Sequence, residues 1–239
     1  MSDAVLVAHQ PAYLPWGGYF ARLLDVPRLV VLDHVQFSER GFQHRNRVLR
    51  AGGGAQWLTV PVRRRFGQPL TDVVPDGRLW ARRHFRTLAQ NYGRAPCWDS
   101  YAQGLDELYA RPWERLVDLD LALTGFLLDA LGLSVELVRS SSIGPAGART
   151  DMLVDLCRRT GARTLRVGTG ATGYLDAAAL AAAGIDVEVS TFALPPYPQA
   201  GGGPFTDGLS VLDLLLHRGP HARAALAAGA ATSRWSALP

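Results

Sequence analysis

The chain of 239 residues contains no lysine, and all 25 of its basic residues are arginine. Without lysine there is no internal Schiff base with pyridoxal phosphate or a carbonyl substrate, and no phosphate-loop lysine of the Walker type. The abundance of Ala, Gly and Arg fits a GC-rich coding bias as the cause. Cysteine is nearly absent as well. Cys97 and Cys157 are too few for a disulfide framework or a cysteine-based zinc site. The N-terminal residues lack the charged, apolar and cleavage regions of a signal peptide, so the expected location is the cytoplasm. Long apolar runs are missing too: the best stretch, 116–133, carries Asp118, Asp120 and Asp129, and no membrane span is expected.

What is present is ample core material. Hydrophobic residues make up 48% of the chain and charged ones 19%, which excludes a disordered chain and favours one α/β-sized body. A short apolar run, Ala4 to Ala8, ends at His9 and the Gln10-Pro11 break, and reads as a buried strand feeding a turn. Tyr13 to Leu24 has helical spacing, and Leu29 to Leu32 reads as a second strand ending at Asp33. Strand, turn, helix and strand within about thirty residues predict a right-handed crossover in a parallel sheet. Arg47 to Arg50 and Trp57 to Val62 flank a glycine turn as two extended segments. A helical insertion is expected over 78–131. Beyond it come a strand at Val135 to Val138, a helix from Asp151 to Arg159 with Thr150 as N-cap, strands at Leu165 to Gly168 and Val187 to Thr191, and a helix from Ser210 to His217. Residues 222–231 read as an alanine-rich helix. The alternation predicts a three-layer α/β fold, Rossmann-like, with a mostly parallel central sheet and flanking helices.

Chemistry is expected at the carboxyl ends of these strands, where α/β sheets bind ligands. His9 closes the first strand beside a helix start, a placement suited to proton transfer. If the first two strands are neighbours, Asp33 stands close enough to orient the imidazole or bind an amine. Gln10, Tyr13 and Trp16, in the following turn, are expected to contact substrate. Gln36, Arg45, Asn46 and Arg47 bring planar hydrogen-bonding and phosphate-gripping groups into one loop, where Arg45 or Arg47 suits a diphosphate or a phosphopantetheine phosphate. Gly168, Gly170 and Tyr174 mark a tight turn that admits a substrate to the backbone; the superficial dinucleotide pattern there lacks an acidic strand end at the usual distance. His34 and His44, in a polar loop, are expected to be solvated, and Cys157 to be a core thiol. His217 and His221 have helical zinc spacing, but Gly219-Pro220 interrupts the helix and no metal site is expected. The arginine clusters at 63–65 and at 82, 83 and 86 lack a continuous stripe or a recognisable module, so no nucleic-acid partner is expected. An acidic carrier protein or a phosphorylated small molecule suits them.

In combination, the stretch from His9 to Tyr19, Asp33 with Gln36, Arg45-Asn46-Arg47, Trp57-Leu58-Thr59-Val60-Pro61, Gly168-Thr169-Gly170 with Tyr174-Leu175-Asp176, and Ser210 with Asp213 resemble the WbqC-like family. The resemblance covers nearly the whole chain and implies a single domain over 1–239 with a role in O-antigen, polysaccharide or natural-product assembly. The expected activity is that of a biosynthetic transferase. Its narrower form is amide-forming acyl or aminoacyl transfer from an activated, carrier-bound donor to an amine such as an amino sugar or nucleotide sugar. In that scheme His9 is the general base, with no cofactor beyond a phosphopantetheine arm on an acyl or peptidyl carrier protein. A nucleotidyltransferase using ATP and a non-catalytic scaffold are the alternatives.

Overall fold

A computed structural model describes residues 5–200 and 202–235. The first half of the chain runs β1 (Val5–His9), α1 (Gly17–Ala21), β2 (Arg28–Val31), β3 (Arg45–Leu49), β4 (Ala55–Thr59), β5 (Val62–Arg63), β6 (Val74–Pro75), α2 (Leu79–Tyr92), α3 (Trp98–Ala110) and α4 (Leu116–Ala130). It continues through β7 (Glu136–Arg139), α5 (Ser140–Ile143), α6 (Arg149–Thr160), β8 (Thr164–Gly168), α7 (Ala177–Ala182), β9 (Asp186–Phe192), α8 (Val211–Arg218), α9 (Ala222–Gly229) and β10 (Ala230–Arg234). The residue before the first strand, Ala4, lies outside the described residues.

The central sheet has six strands in the order β10-β9-β8-β1-β2-β7. All pairs are parallel except β9 with β10. Strands that alternate strictly in direction of side chain send residues to two separate cores. Leu6 and Val30 face α6 and α7, among Leu153, Leu156, Cys157 and Leu180, while Val7, Leu29 and Val31 face Phe20, Leu23 and the helices α2–α4 and α8. The result is the expected three-layer α/β fold, with the 78–131 insertion thickening one layer. From β1 the chain builds outward through β2 to β7, then returns to the other side of β1 to lay down β8 and β9. The order therefore reverses between β1 and β8, whose registers pair Val5 with Thr164 and Val7 with Arg166.

Local structure departs from the sequence reading at several points. The helix expected over Tyr13 to Leu24 shrinks to five residues, because Leu14 takes a left-handed φ of 44° and Pro15 follows it. Such a conformation costs a leucine on the order of 1–3 kcal/mol. It is held by Asn46, whose Nδ2 donates to the Tyr13 and Leu14 carbonyls at 3.2 and 2.7 Å. Thr150 is not the N-cap of α6; that position is Ala148, and the Thr150 hydroxyl accepts from the Asp176 amide at 3.0 Å. The alanine-rich tail leaves its helix at Gly229 and becomes β10, since the edge of β9 offers a ladder from Phe192 back to Glu188.

Candidate functional site

At the reversal point, over the carboxyl ends of β1 and β8, lies a cavity of about 1000 Å³. His9, Gln10 and Trp16 line it from the first strand and its turn, Gly17 and Gly18 from α1, Arg22 from the C-cap of α1, and Gly168, Gly170 and Tyr174 from the turn after β8. Residues 147–149 at the start of α6 and Phe192 at the end of β9 complete the walls. Two stretches rich in proline and glycine, within 193–200 and 202–209, roof it with Leu194, Tyr197, Phe205 and Leu209. They are tied down. Tyr197 and Gln199 donate to the Asp213 carboxylate at 2.5 and 2.8 Å, and the Ala200 amide donates to His217 Nε2 at 2.7 Å.

His9 is the group best placed for proton transfer. Its Nδ1 lies 2.7 Å from the Gln10 carbonyl, which can only accept, so the proton resides on Nδ1 and Nε2 keeps a free lone pair. Tyr19 and Trp16 meet the ring edge-on, with centroids 4.9 and 5.6 Å away. Burial, reinforced by the Arg22 charge and opposed by the Gln10 hydrogen bond, pulls the His9 pKa down to about 4. The imidazole is therefore uncharged at neutral pH.

Asp33 does not orient it. Strands β1 and β2 are neighbours, as the sequence implied, but the Asp33 carboxylate points to the other side of β2. There it accepts from the Ser141 amide at 2.8 Å and from the Ser140 and Ser141 hydroxyls at 3.0 and 2.7 Å, pinning the start of α5. Tyr13, expected at the substrate, is fully buried, its hydroxyl bonded to His84 Nδ1 and to the Tyr109 hydroxyl at 2.8 and 2.5 Å. Asn46 is spent on the turn it holds. Gln36 is exposed beside Pro69, outside the cavity. Arg45 lies 4.7 Å over the Trp57 ring and donates to the Arg40 carbonyl. Arg47 touches the cavity only from behind, donating to the Gly208 carbonyl of the roof at 2.9 Å. The loop expected to grip phosphate forms the hairpin of β3 with β4, whose side chains at 45, 46 and 47 meet the Trp57 ring, the Leu14 turn and the roof. His34, expected in solvent, lines the cavity with its ring nitrogens 2.5 Å from the Ser140 hydroxyl and 3.2 Å from the Met152 sulfur.

The residue that sequence reasoning missed is Arg22. Only 8% exposed, it lines the cavity with its Nε on the Gly18 carbonyl at 3.2 Å, and no carboxylate pairs with it among the described residues. A signal was present: Arg22 is the lone charged residue of the apolar stretch 13–24. Gly168 makes room for it, since a Cβ there would come within 2.6 Å of Arg22 Nη2. Neither cysteine lines the cavity, and burial pushes the Cys157 thiol up to about 11.

The model of the WbqC-like protein family matches residues 10–225, a span that takes in every residue lining the cavity except Ala8 and His9. The chain belongs to the WbqC-like protein family. Within its relatives, the uncharacterized protein Rv1507c of Mycobacterium tuberculosis is 32% identical over 217 residues, covering 89% of this chain and 93% of the relative. No solved structure matches the chain. No helix among the described residues is long and apolar enough to cross a membrane.

Proposed function

We propose that this WbqC-like protein is a biosynthetic transferase of polysaccharide or natural-product assembly, acting in the cytoplasm. It forms an amide between an acyl or aminoacyl group on a carrier-bound thioester and an amine such as an amino sugar or nucleotide sugar. The observation that carries this reading is the free Nε2 of His9, opening into a large cavity that no thiol lines. A general base without a protein nucleophile suits direct attack. The amine nitrogen bonds to the carbonyl carbon, the carbon–sulfur bond breaks, and the amine proton passes to Nε2 and on to the departing thiolate. The apolar walls, Phe192, Leu194 and Phe205 among them, suit an acyl chain.

The test uses the purified protein with an acyl-carrier thioester and amino-sugar acceptors. His9→Gln is expected to lower turnover at least about a hundredfold with little change in melting temperature. Full turnover in that variant, or an acyl group trapped on Cys97 or Cys157, overturns the reading. One observation favours a second: nucleotides bind at the reversal point of sheets with this strand order, which suits nucleotidyl transfer from ATP. A saturable thermal shift with ATP and magnesium, together with pyrophosphate release, would put that reading first.

A further inference from the structure

A buried cation without a counter-ion is costly, because desolvation is not offset by any fixed negative charge. Arg22 is in that position. Burial lowers its pKa, and the groups that act in the opposite direction are two tyrosines, Tyr19 and Tyr174, neither of them a carboxylate. Guanidinium nevertheless stays charged at neutral pH. Its Nε is occupied by the Gly18 carbonyl, while Nη1 and Nη2 have no protein acceptor among the described residues and lie against the bare backbone of Gly168. These two nitrogens form the planar fork that grips phosphate or carboxylate. One wall of the cavity is unlike this end. Phe192, Leu194, Tyr197, Phe205 and Leu214 make a wall that offers mainly aromatic and aliphatic surface.

We propose that Arg22, set over Gly168, is the anchor of an oxyanion subsite that takes the phosphate or carboxylate end of an amphipathic substrate. The apolar part of that substrate lies along the Phe192 and Phe205 wall. The proposal rests on the cavity being the substrate site of the transferase reading, and names the chemistry of its ligand. It also couples to His9: an anion on Arg22 offsets the positive charge that helps to suppress the basicity of the imidazole.

The experiment titrates the full chain with inorganic phosphate, pyrophosphate, acetate and octanoate, following the melting temperature and the ring resonances of His9. Saturable stabilisation by at least one of these anions, with movement of the His9 signals, is expected. Preference for the phosphates identifies a phosphorylated ligand and preference for octanoate a carboxylated one. Arg22→Met is expected to weaken binding at least about tenfold, the loss of charge-assisted hydrogen bonds. Should that variant fail to fold, Gly168→Ala gives the same test, since its Cβ displaces the guanidinium while keeping the charge. His9→Gln should bind the anion still. The proposal is overturned if no anion binds saturably, or if binding survives unchanged in the folded Arg22→Met or Gly168→Ala variant. Loss of anion binding leaves the His9 reading to its own turnover assay, and full turnover in His9→Gln leaves the anion site standing.

Discussion

Two arginines, both nearly out of contact with solvent, lie side by side where β8 meets α1, and they are wired differently. Arg166, 5% exposed, is paired with both Asp25 and Glu188 and donates to the Arg22 carbonyl at 3.2 Å. Burial alone would lower its pKa, but the two carboxylates outweigh that and raise it. Arg22, 8% exposed, has one carbonyl and an open cavity. Residue type and burial are the same; the partner list differs. A buried arginine completed by the protein holds the fold together, and one left incomplete points to what the protein binds.

The largest effect expected from this contrast is on stability. Arg166→Met should lower the unfolding free energy by roughly 3 kcal/mol, at the lower end for breaking a buried ion pair because Asp25 and Glu188 keep some solvent. Urea melts measure it, and an equal loss in Arg22→Met would erase the distinction. The next effect is on pH dependence. Burial holds both His9 and His84 at a pKa of about 4 in the folded chain, against about 6.5 unfolded. Between those values the unfolded chain takes up protons that the native one refuses. Stability is therefore full above pH 6.5 and declines as the pH falls toward 4. Replacing His84 by Gln should flatten that slope, and an unchanged slope in acid-range melts would remove His84 from the account. A smaller loss, about 1–2 kcal/mol, is expected for Tyr13→Phe, which breaks two buried hydrogen bonds without touching the cavity. Anion affinity should stay at the wild-type value, and a drop would return Tyr13 to the binding site. Least of all, Arg22→Met in the absence of anion should keep stability within about 1 kcal/mol of wild type, because the change removes a buried charge that had no mate.

The layered fold was legible in the sequence because strand runs and helical spacing recur in alternation from Val5 to His217, and each period is local. His9, Trp16, Gly168 and Gly170 could be placed for the same reason: each sits where a short apolar run meets a turn, and strand ends gather at one edge. Asp33 and the Arg45-Asn46-Arg47 trio misled because a residue's type does not reveal which neighbour it faces. Asp33 faces β7 rather than β1, and Asn46 faces a strained turn thirty-two residues before it. Arg22 escaped notice because helical spacing hides a charge among apolar residues. Its meaning appears only when β8, well over a hundred residues later, folds alongside. The roof is non-local in the same way, since its proline and glycine content says loop without saying over what.

That roof has one more implication. Tyr197, Gln199 and Ala200 tie it to α8, whereas the Gly208 side is fastened to β3, where the Arg47 guanidinium donates to the Gly208 carbonyl and the Arg47 carbonyl accepts from the Ser210 amide. The proline-rich flank is stiff, while Gly202, Gly203 and Gly208 adopt backbone angles of 64°, 83° and 67° that few other residues accept. The cover of the cavity thus depends on β3 as well as on α8, and Arg47, expected to grip a phosphate, joins the hairpin to that cover instead.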